Sequence, residues 1–406
     1  MLLEALIIIV AGTFILESLL DHLNQRSSEA KPDPLVAHLY DEKEHQRSIT
    51  YGYEKNQLGL FSGSLSTALM VLAIAFGWFA SLDRFVSERI DNSLLVSLLF
   101  IGALSVISWL ISLPFAIKST FGIEAKYGFN KATPTTFITD IVKGSVVGVL
   151  IGGSLLIAVI WLYERFEDRF WLYSWLLVAG FSIFMFMFGT KLILPLFNKL
   201  TPLQDGELKE AIGQYCKSQG YSLKNLFVMD GSKRSTKANA FFSGMGKSKT
   251  IVLFDTLIEK LSKDEIVAVL AHEIGHYKRK HTLAMFMSSN IQTLAIFALL
   301  GWALQYPEFS RALGAEESKF HLSALAFFIL LTPLQILLGL LNNSLSRRNE
   351  FDADTFAAKT FKQAPMRSAL SKISTDSLAN LNPHPLYVAF NYTHPPLVQR
   401  LKNVGK

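Results

Sequence analysis

The sequence predicts a mainly α-helical, polytopic membrane protein that carries a metal site on a helix outside the bilayer. Three observations lead there. Half of the 406 residues are hydrophobic and only 18% are charged, too apolar a balance for a soluble enzyme of this length. Seven apolar segments, at about 2–20, 64–80, 93–115, 143–163, 171–195, 283–304 and 322–342, each come near the roughly 20 residues that cross a bilayer as a helix. Residues 272–276 read His-Glu-Ile-Gly-His, a spacing that brings two imidazoles to one face of a helix.

The spans set the organisation of the chain. The first has no basic leader and no small-residue cleavage site, so it reads as a retained span and not as a signal peptide. Seven crossings put the loops after spans one, three and five on the same side as the C-terminal tail. Counting Lys143 and Lys191 at span ends, these segments carry 5, 4, 15 and 9 of the 39 Lys and Arg residues. The other three loops carry only Arg84 and Arg89, Arg165 and Arg169, and Arg311 and Lys319. Basic loops stay in the cytoplasm, which places the N-terminus outside and the C-terminus inside. The net charge of +6 follows from this asymmetry and suits anionic lipid headgroups; it does not indicate nucleic acid. Cys216 is the single cysteine, so the chain has no intrachain disulfide. Compact loops point to a bacterial inner membrane, with the endoplasmic reticulum as the alternative.

Four sections follow from this count. Residues 1–195 hold spans one to five and their loops, and 196–282 form a first catalytic segment. Residues 283–342 hold spans six and seven, and 343–406 form a second catalytic segment. Within 196–282, Leu226–Met229 and Thr250–Phe254 read as short strands joined by a Gly-, Ser- and Lys-rich connection. Such a strand edge can hold an extended peptide through its main chain.

The metal helix begins with Ser262 and Glu265, a capping-box pair that satisfies orphan amides at a helix start. Ile266, Val269 and Leu270 then give it an apolar face. His272 and His276 would present two nitrogens to one ion, and Glu273 stands beside them as a general base. Short motifs recur by chance, and solvated His and Glu on a surface helix give the same letters. A hydrolytic site needs a third protein ligand and an open fourth position. After span seven the chain reads Ser-Arg-Arg-Asn-Glu-Phe-Asp-Ala-Asp over 346–354, with no Gly or Pro, so a helix continues or restarts there. Glu350 and Asp354 share its face. One carboxylate could complete the metal site while the other orients an imidazole, or the two could be exposed acids answering Arg347 and Arg348.

Together these residues resemble the integral-membrane zinc metalloproteases of the Ste24 type, the type I CAAX prenyl proteases of the M48 peptidases. The resemblance runs from Ile123–Lys131, through Asn239-Ala-Phe-Phe and Ile251–Leu257, to His272–His276, Arg348-Asn-Glu350, Asp354 and His394–Arg400. It implies seven helices enclosing a chamber roofed by a cytoplasmic-side zinc-protease domain with a small β-sheet. It implies one zinc ion per chain on His272, His276 and Glu350, with Glu273 as base and His394 polarising the oxyanion. Asp354 and Arg400 would then support the ligands, and Asn239 would contact the substrate backbone. The expected substrate is a peptide or protein cut near its C-terminus, isoprenylated in eukaryotic members. A quality-control protease that needs no prenyl group is the alternative within the class. A transporter or channel with a regulatory metal site is the alternative outside it, disfavoured by spans nearly free of charge.

Other polar residues carry weaker signals. His281 lies five past His276, off the ligand face of a continuous helix, and is expected to serve with Lys278–Lys280 as an interfacial anchor. His22, His38, His45, His321 and His384 show no partner pattern. Lys233, Arg234 and Lys237 would meet carboxylates or headgroups. Ser288, Ser289, Asn290, Gln292 and Gln335 lie at membrane depth, facing a cavity or bonding between helices.

Overall fold

The structure, a computed structural model, describes residues 1–221, 225–243 and 250–405. Among these, six helical runs are long and apolar enough to cross a membrane: Leu2–Ser28, Glu42–Ala75, Ser93–Glu124, Pro134–Phe197, His281–Ala303 and Phe320–Thr360. Their large side chains point outward. Ile8, Phe61, Val149, Ile291 and Leu341 are all exposed, a surface that calls for lipid.

The fourth run holds 64 residues, and the segments expected at 143–163 and 171–195 both fall within it. One straight helix of that length would measure about 96 Å, some three times a bilayer core. The run is broken by Glu167, a non-glycine residue at φ 28°. Across the break Tyr163 meets Phe170 edge to face at 5.4 Å.

The second segment differs from its expected limits of 64–80. Its helix starts at Glu42, where Asp41 Oδ1 accepts from Glu44 N at 2.7 Å, and ends at Ala75. Gly77 then takes φ 65°, and a separate amphipathic helix, Trp78–Ser87, leads off. A left-handed residue stops an α-helix, and glycine adopts that conformation without a Cβ penalty. The apolar letters continue through the break, so hydropathy alone could not locate it.

Two buried clusters pack the spanning helices, one around Leu6, Phe79, Phe100 and Leu322 and one around Ile160, Phe170, Leu300 and Phe320. Beside them His321, at 3% exposure, joins Asp83 at 2.9 Å and Ser97 at 3.0 Å. That contact pins three helices together and was not visible as a sequence pattern. A cavity of about 980 Å³ opens nearby, lined by residues such as Phe79, Phe100, Phe297 and Phe328. At depth, Gln292 and Asn342 exchange two hydrogen bonds, at 3.0 and 3.1 Å, between the His281–Ala303 and Phe320–Thr360 helices. For Gln292, bonding between helices is the outcome.

A third, larger cluster gathers Ile212, Leu253, Ile266, Leu270, Ala357, Met366 and Leu401, together with Val36 and Tyr40 from the first loop. Around it lies a four-stranded sheet. Strand β1 is Leu200–Pro202, β2 Asn225–Met229, β3 Ala240–Ser243 and β4 Thr250–Phe254, in the order β1-β2-β4-β3. The two strands read from sequence are the central ones, β2 and β4, which pair in parallel. β3 pairs antiparallel with β4 and forms one edge.

The 123–131 segment docks this unit onto the spans. Glu124 accepts from Tyr51 Oη at 2.6 Å and from Lys237 Nζ at 3.0 Å. Arg234 forks onto both oxygens of Asp140 at 2.7 Å and donates to the Phe197 carbonyl at 2.8 Å. Lys237 and Arg234 therefore meet carboxylates within the protein.

Candidate metal-dependent active site

The Lys263–Lys278 helix opens with the expected reciprocal cap: Ser262 N donates to Glu265 Oε2 at 2.7 Å and Glu265 N donates to Ser262 Oγ at 3.4 Å. Glu265 also receives Ser368 Oγ at 2.5 Å and Lys372 Nζ at 2.8 Å. Burial alone would raise its pKa, but the Lys372 ammonium and the Ser368 and Ser262 donors outweigh that and hold it at about 2. The cap is thus a buried anchor that fixes where the helix points.

Phe320–Thr360 is a single helix of 41 residues, so the Glu350 face is a direct continuation of the last span. It packs against the metal helix at Gly275. A Cβ there would lie 3.1 Å from the Phe356 ring and 3.2 Å from Ala353 Cα, so only glycine allows this approach without displacement. Ala353 and Ala357, both fully buried, form the small-residue floor between the helices.

The close approach brings three candidate ligands together. His272 Nε2 and His276 Nε2 are 3.1 Å apart. His276 Nε2 lies 3.1 Å from Glu350 Oε1, and His272 Nε2 lies 3.5 Å from Glu350 Oε2. The three residues each offer one ligand atom within 4.8 Å of the others. Two nitrogens bound at about 2.05 Å to a tetrahedral ion would be about 3.3 Å apart, so the spacing fits a metal. Glu350 Oε2 is buried without a hydrogen-bond partner, a costly arrangement for a carboxylate that a bound cation would relieve.

Behind the ligands stands a fully buried carboxylate. Asp354 Oδ1 is 2.9 Å from His272 Nδ1, and Arg400 forks onto Asp354 from Nε at 2.8 Å and Nη2 at 2.6 Å. His272 Nδ1 therefore donates to Asp354, and Nε2 on the far side of the ring faces Glu350. Arg400 Nη2 also lies 3.3 Å from Glu350 Oε2, adding positive charge at the back of the site. Burial works against a charged His272, but Asp354 and Glu350 outweigh it and raise its pKa to about 9.

Glu273 is half-buried on the same helix as His272, and its desolvation raises its pKa. The shift brings a carboxylate toward the range in which a general base works best at neutral pH. His394, its side chain 64% exposed, stands at the rim with Nε2 3.4 Å from Glu350 Oε1. Its Nδ1 is 3.0 Å from Thr393 Oγ1.

Of the residues expected from sequence, His272, His276, Glu350, Asp354, Arg400 and His394 converge on one point. Among the described residues Asn239 makes no hydrogen bond with that group. Its Oδ1 accepts from Ala240 N at 2.8 Å and its carbonyl accepts from Phe254 N, which carries the β3–β4 pairing one residue beyond Ala240. One residue set aside from sequence joins the site. His281 Nδ1 lies 3.1 Å from His276 Nδ1, because Lys280 takes φ 59° and breaks the helix between them. On an unbroken helix His281 would lie off the ligand face, and the Lys278-Arg279-Lys280 run gives no sign of the break.

Two imidazoles and a carboxylate around a cation position, backed by a carboxylate–arginine pair and flanked by Glu273, define a membrane-embedded metallopeptidase. The N-terminal family described as "CAAX prenyl protease N-terminal, five membrane helices" matches residues 21–199, and "Peptidase family M48" matches 202–406. The chain belongs to the CAAX prenyl protease 1, or Ste24, family of M48 metalloendopeptidases. It is 37% identical to "CAAX prenyl protease 1 homolog" of Arabidopsis thaliana, over 96% of this chain and 94% of the relative. It is 33% identical to "CAAX prenyl protease 1" of Saccharomyces cerevisiae, over 93% and 89%. The crystal structure of S. mikatae Ste24p superposes with a TM-score of 0.94 at 32% identity, over 100% of this chain and 99% of that one.

Proposed function

We propose that the chain is a zinc endopeptidase that cuts prenylated peptides near their C-terminus, with zinc held by His272, His276 and Glu350. The observation that carries the ligand set is the buried Glu350 carboxylate, with Oε1 3.1 Å from His276 Nε2 and Oε2, which has no hydrogen-bond partner, 3.5 Å from His272 Nε2. Zinc bound there would act as a Lewis acid toward water and the scissile carbonyl. Glu273 takes the proton of the attacking water and returns it to the leaving amine. His394, at the open rim, donates to the oxyanion that develops on the carbonyl. Asp354 keeps His272 in the tautomer that leaves Nε2 free, and Arg400 keeps Asp354 ionised. Substrate lies along the free edge of β3 as an added strand, with Asn239 at its end. Residues 196–282 and 343–406 act as one catalytic unit, supported by the cluster that contains Ile266, Ala357 and Leu401.

Prenyl recognition has a direct test. One peptide, presented with and without an isoprenyl group on its cysteine, should be cut efficiently only in the prenylated form. Equal cleavage of both favours a quality-control protease.

The break at Glu167 supports seven crossings around a substrate chamber, and the distribution of Lys and Arg among the loops supports an N-terminus outside and an active site in the cytoplasm. The membrane is a bacterial inner membrane, or the endoplasmic reticulum in a eukaryote. Glu207 and Glu317 have side chains 85% and 81% exposed, one on the catalytic unit and one before the last span. With Cys216 replaced, a cysteine at position 317 should react with a membrane-impermeant thiol reagent in intact cells, and one at 207 should not. Labelling at 207 alone inverts the orientation, and equal labelling at both removes the transmembrane hairpin.

A further inference from the structure

We propose that His281 is a positioning residue for the metal site: its Nδ1 lone pair accepts a hydrogen bond from His276 Nδ1–H and fixes the tautomer in which His276 Nε2 faces the ion. The inference rests on the reading of His272, His276 and Glu350 as ligands.

Valence gives the assignment. The Nε2 of His276 lies 3.1 Å from both His272 Nε2 and Glu350 Oε1, so this nitrogen faces the cation position. Its Nδ1, on the opposite side of the ring, lies 3.1 Å from His281 Nδ1. A neutral imidazole carries one N–H, and a nitrogen that gives its lone pair to a cation carries none. The hydrogen of His276 is therefore on Nδ1. Two nitrogens 3.1 Å apart share one hydrogen between them, so His281 Nδ1 is the acceptor. The hydrogen of His281 then sits on Nε2, the nitrogen that faces Asp352 Oδ2 at 3.9 Å.

The arrangement mirrors what stands behind the other imidazole. His272 is oriented by the Asp354 carboxylate, itself held by Arg400, and His276 is oriented by a neutral ring. Local structure shows why His281 can do this. Lys280 at φ 59° ends one helix and starts the next, turning His281 back under the ligand helix. The His281 side chain is only 10% exposed, and its ring meets that of His276 at 5.2 Å with the planes 73° apart. Fixing a ligand before the ion arrives removes the cost of ordering it, and outer partners of this kind are worth about 10- to 100-fold in metal affinity.

The test uses the full-length protein and measures the zinc dissociation constant by competition with a chromogenic chelator. His281→Leu removes the acceptor and should weaken zinc binding about 10- to 100-fold. His281→Asn places Oδ1 near the lost Nδ1 lone pair and should bind zinc close to wild-type affinity. Wild-type affinity in His281→Leu overturns the proposal. So does equal weakening in the two variants, which makes His281 a packing residue only. A wild-type protein that binds no zinc would instead overturn the ligand reading beneath it. A second measurement needs no variant. In zinc-loaded wild-type protein labelled with 15N-histidine, His281 should be protonated on Nε2 and His276 on Nδ1. Protonation of His281 on Nδ1 contradicts the assignment.

Discussion

Glu273→Gln is expected to leave the protein folded and zinc-loaded while lowering peptide cleavage by at least about 10²-fold, the usual contribution of a positioned general base. Glutamine keeps the shape of the side chain, so packing beside the metal helix is undisturbed. What disappears is the carboxylate that burial pushes toward a higher pKa. Neither His272 nor His276 bonds to Glu273 in the contacts that build the ligand set, so metal content should not follow activity down. Elemental analysis and a cleavage assay on the same preparation separate the two quantities. Wild-type turnover would sink the role assigned to Glu273, and loss of zinc would make it a support for the ligands.

Glu350→Ala is expected to empty the site. The change removes one of three ligands and leaves Arg400 Nη2 without a carboxylate that lies 3.3 Å away. Both effects oppose a cation: a donor is lost, and the Arg400 charge behind the two imidazoles is then countered by Asp354 alone. Asp352→Ala is the matched control. Asp352 is two residues along the same helix, its side chain is 54% exposed, and its nearest basic neighbour is His281 at 3.9 Å. Zinc measured after dialysis should fall well below one per chain in the first variant and stay near one in the second. Equal zinc in both would move the third ligand elsewhere. His394, with Nε2 3.4 Å from Glu350 Oε1, would be next, because Asp354 is already engaged by Arg400.

What could be read from the sequence followed from how far each signal reaches. The His272–His276 and Glu350–Asp354 pairs are local, four residues apart on helices without breaks, so their shared faces could be read from spacing. The same holds for the Ser262–Glu265 cap and the β-rich runs that became β2 and β4. His394 and Arg400 came only from family resemblance, since nothing local links them to a helix that ends some 30 residues earlier. Two breaks escaped for a common reason. Gly77 lies within continuous apolar sequence and Lys280 within a basic run, so composition carried across a change in backbone direction. The first displaced a span boundary, and the second concealed His281. The contact of Asp83 with His321 joins residues 238 apart, and periodicity within a segment has no access to such a pair.

The most direct test returns zinc to protein stripped by a chelator while following cleavage of a C-terminally prenylated peptide. The structure has one cluster of this kind among its described residues, formed by His272, His276 and Glu350. Activity should therefore be absent in the stripped protein, rise in proportion to added zinc, and level off at one ion per chain. Undiminished cleavage after stripping, or a rise that continues to two ions per chain, would contradict a single-zinc endopeptidase.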